Sequence, residues 1–266
     1  VKYDLTGMAQ RASNIRRRSI VIRDIAPPAV LASDLYAAAY RPVIALIERY
    51  AGFANAEYER TLSAMITDSA DDLGNIFERM GQELAALVLS LRPAMRDWTI
   101  RVERQNRSKW RGAVLAATKV DLETLIGPQD VEQTLGEILS WNVALVRDVG
   151  DQARSRMSNA VFAGLRERSP ARDVAKQIRE ATGFARDRSL RIASDQLTKL
   201  TSSLASERRR QAGIAKWKWR SSHKLHYRPE HAARDGKVYD DTTAPKDLPG
   251  QLPFCGCREQ AVIEFD

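Results

Sequence analysis

The sequence predicts a mainly α protein with a small C-terminal α+β cap: long helices, then a short antiparallel subdomain rich in β-strand and loop. Three observations carry that reading. Apolar residues recur at helical spacing through most of the chain, from Ala29 to Gln211. After Gly213 the period shortens to two, in Lys216-Trp217-Lys218-Trp219-Arg220, which suits a strand with both tryptophans on one face. Proline and glycine then crowd together at Pro245, Pro249-Gly250 and Pro253, as in loops held by their neighbours. With 266 residues, 44% hydrophobic and 29% charged, the composition is that of a globular protein and excludes a collagenous or mostly disordered chain.

Residues 1–28 contain Arg16-Arg17-Arg18, end in Pro27-Pro28 and show neither period, so they are expected to form an extended basic arm. Such an arm either frays as a solvated terminus or orders against a partner subunit. Residues 29–127 form a helical domain. Its clearest segment places Leu73, Ile76, Phe77, Met80, Leu84, Leu87, Val88 and Leu91 on one stripe. Pro93 is expected in the first turn of the next helix, which runs past Trp98 and Trp110 toward Ile126, and Gly127-Pro128 marks a boundary. The third domain, 128–266, comprises helices over 130–212 and a cap over 214–266. Gly136, Gly150 and Gly164 recur close to every four helical turns and so share a face on which another backbone can approach. Ser169-Pro170 opens a short helix that Gly183 is expected to end, with a further helix from about Arg186 to Gln211. In the cap, Asp235-Gly236 predicts a turn before Val238-Tyr239, and Ala261 to Phe265 a last strand. Trp217, Trp219, Tyr227, Tyr239 and Phe254 are its expected aromatic core.

The longest apolar run, around Leu84 to Leu91, is far shorter than the roughly 20 residues of a membrane span, so no membrane partner is expected. The net charge is +8, and fifteen Lys and Arg against eight Asp and Glu between Trp141 and Arg210 hold almost all of the excess. Arg16, Arg17, Arg18, Arg208, Arg209 and Arg210 are therefore candidate contacts to DNA or an acidic partner surface. A disulfide between Cys255 and Cys257, one residue apart, would be badly strained, which points to a reducing compartment. Those cysteines, with His226 and His231, have the donor chemistry of a closed structural zinc site, although Cys-x-Cys is tighter than the usual spacing; turn-filling histidines and buried free thiols are the alternative. No phosphate loop, nucleophile elbow or His-Glu-x-x-His motif occurs. A cryptic enzyme would have to use His231 with Asp235 or Cys255, or the pair Asp240-Asp241, and the reading is of a non-enzymatic protein.

The cap carries a further signal. Trp219, Arg220 and Ser222, then Tyr227-Arg228-Pro229-Glu230-His231, Asp235-Gly236-Lys237-Val238-Tyr239, Pro249-Gly250 and Cys255-Gly256-Cys257-Arg258 resemble the C-terminal signature of the phage Mu protein F-like minor head proteins, the head morphogenesis family. Upstream, Ile192 to Gln196, Thr198-Lys199-Leu200, Arg208 to Arg210 and Ala212-Gly213-Ile214 are similar to the segment leading into that cap, so the likeness covers roughly Val131 to Glu264. Lys224, His226 and Phe254-Cys255-Gly256-Cys257 depart from the family pattern of an acid, an arginine and Asn-Cys-Arg-Cys. The resemblance implies a minor component of a tailed-phage head, assembled in the bacterial cytoplasm. Its implied partners are the portal protein or the major capsid protein, with packaged double-stranded DNA as a further contact, and no catalytic activity is implied.

Overall fold

The computed structural model describes residues 1–12, 17–64, 69–223, 225 and 227–265. Helices dominate, with a four-stranded antiparallel sheet assembled mainly from the C-terminal residues. The helices are α1 (Leu5–Ala12), α2 (Val30–Leu35), α3 (Arg41–Ala64), α4 (Ser69–Thr118), α5 (Glu132–Glu167), α6 (Ala171–Gln211) and the single turn α7 (Pro229–Ala232); a π-turn, Tyr36–Tyr40, joins α2 to α3. The strands are β1 (Ser19–Val21), β2 (Lys216–Arg220), β3 (Val238–Tyr239) and β4 (Arg258–Glu264), in the order β1-β4-β2-β3.

Two helix predictions are corrected. Pro93 does not begin a helix; it lies inside the 50-residue α4. Its ring removes the hydrogen bond to the carbonyl of Leu89, but both residues are exposed, so water reaches the break and the helix continues. Gly183 does not end a helix either. Buried Val174, Ile178, Ala181, Ala185 and Ile192 carry one stripe across it, and the gain from burying that stripe exceeds the roughly 1 kcal/mol that a mid-helix glycine costs.

The contacts divide the chain into two units. One comprises residues 1–31, 98–138 and 194–266, the other 32–97 and 139–193, so neither follows the expected division into 1–28, 29–127 and 128–266. In the second unit Leu35, Tyr40, Val43, Ile47, Leu73, Phe77, Met80, Val146, Met157, Val161 and Ile178 are buried. Gly150 and Gly164 are its close-approach points: a Cβ would sit 3.0 Å from Leu84 Cδ2 at the first and 2.5 Å from Val174 Cγ2 at the second, whereas Gly136, in the first unit, has nothing within 4 Å. By length and composition alone the helical run Val30–Ser63, with a mean hydropathy of 1.4 in its most apolar window, could cross a membrane. Its Arg41, Glu48, Arg49, Glu57 and Arg60 lie away from the buried Leu35, Ala39, Tyr40, Val43, Ile47, Ala54 and Tyr58, so the run is amphipathic, with 39% of that window buried.

The first unit holds the sheet, and the expected arm is part of it. Tyr3, Leu5, Ala9 and Ile22 are buried with Trp110, Val114, Leu122, Ala212, Ile214 and Ile263. The amides of Lys2 and Tyr3 donate to the carbonyl of Gln211 at 2.8 and 3.0 Å, and that of Leu5 to Ala212 at 3.1 Å, satisfying carbonyls that the end of α6 leaves orphaned. β1 pairs with β4 in the register Ser19↔Glu264 to Val21↔Val262, and Asp24 accepts from Arg258 at 2.6 Å. The arm is thus helical in α1 and paired in β1, neither of which has enough residues to show a period. In the sheet, Trp217 pairs with Ala261 and Trp219 with Glu259, and both indoles are buried on one face, as the alternation predicts.

Candidate functional site

Beyond β2 the chain makes two turns that set a histidine against the tryptophan face. Arg228, in extended conformation, precedes Pro229 at the first position of α7, where a missing N–H costs nothing, and His231 follows, 3% exposed. Asp235-Gly236 then turns the chain as predicted: Gly236 takes a φ of 79°, its amide donates to the carbonyl of Trp219, and Asp235 accepts from the amide of Ser221 at 2.7 Å. α7 is thereby held between β2 and β3.

The cysteines reach the same place from the other direction. Pro249-Gly250 turns tightly against α6, with Gly250 at a φ of 77° and so close to Ser202 that a Cβ would overlap that side chain. Lys199 donates to the carbonyl of Gln251 at 2.7 Å, and Asp195 accepts from the amide of Phe254 at 2.6 Å. These two bonds from α6 fix the loop, and it delivers Cys255 and Cys257, 3% and 4% exposed, beside His231 just before β4 begins.

His231 Nδ1 lies 3.3 Å from Cys255 Sγ and 3.7 Å from Cys257 Sγ. The other ring nitrogen, Nε2, is 2.7 Å from Asp247 Oδ2, and Arg234 donates to Asp247 Oδ1 at 2.9 Å. The Arg234 guanidinium, followed by the His231 hydrogen bond, brings the Asp247 carboxyl down to about 2 against the upward push of burial. An ionised carboxylate can only accept, so Nε2 donates to Asp247 and Nδ1 is the ring nitrogen that faces the sulfurs. Trp219 packs edge-on against the imidazole, with ring centroids 5.1 Å apart, and Arg234 lies over the same indole at 5.0 Å. Their surroundings push the two thiols in opposite directions. Cys255 is lowered by its hydrogen bond with Cys257 and by the amides of Cys257 and Gly250, while Cys257 is raised by Cys255 and by burial. A cavity of about 20 Å³, bordered by Ser222, Tyr227 and Arg228 as well as the three donors, is large enough for one small ion or one water.

Two chemistries use such an arrangement: a nitrogen and two sulfurs converging on a soft cation, or a thiol, base and orienting carboxylate in sequence. Of the four expected zinc ligands the structure joins His231, Cys255 and Cys257; His226 lies outside the described residues. The orienting carboxylate is Asp247 and not Asp235. Asp240 accepts from Thr242 and Thr243 in its own turn and Asp241 pairs with Arg209, so they do not act together as two carboxylates. Asp247 and Arg234 were not legible in the sequence: the loop between them has no periodicity that fixes which acid meets His231.

Several expected residues sit elsewhere. Trp217, Trp219 and the half-buried Tyr239 form the cap core with both cysteines, but Tyr227 and Phe254 are 60% and 52% exposed, because the loops that carry them are anchored by polar contacts. Arg208 and Arg209 are not on the surface of this chain. Both are buried; Arg208 bonds Glu103 at 2.7 Å, and Arg209 holds Asp241 at 2.8 Å and Glu259 at 3.3 Å. Arg210 is exposed and paired with Glu207, Arg17 and Arg18 are exposed, and Arg16 lies outside the described residues.

Residues 154–260 match the family described as Phage Mu protein F like protein. An uncharacterized protein of Haemophilus influenzae is 26% identical over 167 residues, 62% of this chain; the chain spans about 37% of that relative's length. No solved structure matches.

Proposed function

We propose, from the premise that residues 154–260 belong to the Phage Mu protein F like family, that this chain is a structural component of phage head morphogenesis, a minor capsid protein of the virion assembled in the bacterial host. The family match carries the reading, and it covers the C-terminal part of α5, α6 and the cap up to β4. The docking partner is the portal protein or the inner face of the major capsid protein, and the work is adhesion and not turnover. Helices of 36, 41 and 50 residues offer long faces for such docking.

Contact with packaged DNA falls to Arg17 and Arg18, because Arg208 and Arg209 are engaged internally. The test is co-sedimentation of the tagged chain with purified procapsids, followed by cryo-electron microscopy of assembled heads. Density for the chain at the portal or the inner shell is expected. Heads of full composition and normal yield made without it would overturn the proposal.

A further inference from the structure

We propose that His231 Nδ1, Cys255 Sγ and Cys257 Sγ bind one zinc ion, which ties α7 to the segment leading into β4. The inference stands apart from head assembly, since it concerns how the cap is held together.

The geometry comes first. In a tetrahedral site with bonds of about 2.05 Å to nitrogen and about 2.3 Å to sulfur, each N···S pair is about 3.6 Å apart. The two pairs here are 3.3 and 3.7 Å, and all three donor atoms lie within 4.8 Å of one another. All three residues are buried, and the cavity beside them has the volume of one small ion or water. Among the described residues no fourth His, Cys, Asp or Glu joins them, so the remaining position faces that cavity.

The surroundings are arranged for a cation that brings thiolates with it. Arg234 holds Asp247 and Asp247 holds Nε2, the carboxylate–imidazole relay that orients a ligating histidine and fixes its tautomer. The indole N–H of Trp219, buried beside both cysteines, has no hydrogen-bond acceptor. Two thiolates side by side would repel, and donors alone do not offset that. A divalent ion between them does, leaving the group neutral. Nitrogen and sulfur donors in a tetrahedral set select zinc over the oxygen-loving magnesium or calcium. Binding balances simply: zinc displaces the remaining thiol protons to solvent, forms two Zn–S bonds and one Zn–N bond, and changes no oxidation state.

The test uses the full chain, purified without chelator. Elemental analysis is expected to find about one zinc per chain. Chelator-stripped protein titrated with Co²⁺ should develop intense thiolate-to-cobalt absorption that saturates at one equivalent. Cys255→Ser, Cys257→Ser and His231→Ala should each lower the zinc content at least tenfold, and His223→Ala, altering an exposed imidazole outside the cluster, should not. Circular dichroism reports whether each variant keeps its helices; if one does not, the cobalt titration of the unaltered chain decides. A helical, unaltered chain that carries no zinc and gives no cobalt–thiolate band overturns the proposal. So does rapid alkylation of Cys255 in zinc-treated protein, which would assign the cluster to thiol chemistry instead.

Discussion

Arg208 and Glu103 show how one residue can be misplaced by its type. Within an arginine triplet Arg208 reads as surface charge, yet its side chain is fully buried, with Glu103 at 2.7 Å and the Asn106 amide oxygen beside it. Burial pulls the guanidinium pKa down, and Glu103 works against that pull. Removing Arg208 leaves the buried Glu103 with the more exposed Arg107, whose Nε is 3.3 Å away: Arg208→Ala should destabilise the chain by roughly 3 kcal/mol in urea denaturation, whereas Arg208→Met with Glu103→Leu should recover part of the loss. Gly250 is a second case. Its positive φ and the nearby Ser202 side chain both reject a Cβ. Gly250→Ala should therefore cost about 1–3 kcal/mol and quench or shift the fluorescence of Trp219, which packs on the cluster the Gly250 turn supports.

At the scale of elements, the long helices tolerate residues that would end short ones, because a continuous buried stripe outweighs a local penalty. The glycines of α5 and α6 separate the two effects. Gly164→Ala places a methyl 2.5 Å from Val174 Cγ2 and 2.8 Å from the Tyr58 hydroxyl and should lower stability by roughly 1–3 kcal/mol, while Gly183→Ala meets nothing within 4 Å and should raise it by about 0.5–1 kcal/mol. Thermal melts of the two variants, expected to shift in opposite directions, check this. The N-terminal segment has its own acid sensitivity. Burial pushes Asp130 up, but the Lys2 ammonium at 2.6 Å and the Gly127 amide together hold its carboxyl below 3.8. A carboxyl lowered on folding contributes stability that is present above its unfolded pKa and lost as pH falls through its folded one. Asp130→Asn should accordingly weaken the chain by about 1 kcal/mol near neutrality and flatten its stability between pH 5 and pH 3, both relative to the unaltered chain.

For the whole molecule, net charge and available charge differ. Arg186 pairs with Glu48, Arg188 with Asp148, Arg208 with Glu103, Arg209 with Glu259 and Arg210 with Glu207, so much of the basic stretch is neutralised within the fold. If six arginines neutralised phosphates, the logarithm of DNA affinity would fall against that of salt with a slope of about −5. With Arg208 and Arg209 buried and Arg210 paired, the expected slope is about −3 or shallower, measured by gel-shift titration, and substitution of Arg17 and Arg18 by alanine should flatten it further.

Helical class, strand β2 with its paired tryptophans, the Asp235-Gly236 turn and the candidate donors His231, Cys255 and Cys257 were legible in the chain itself, because periodicity, turn chemistry and side-chain donor type are local properties. The docking of residues 1–12 and 17–24 onto α6 and β4, the passage of α4 and α6 through Pro93 and Gly183, the burial of Arg208 and the choice of Asp247 as the partner of His231 were decided only by the tertiary structure. Each joins groups far apart in sequence or depends on which face is buried, and neither a three-residue strand nor a lone carboxylate in a loop encodes its partner in its neighbours.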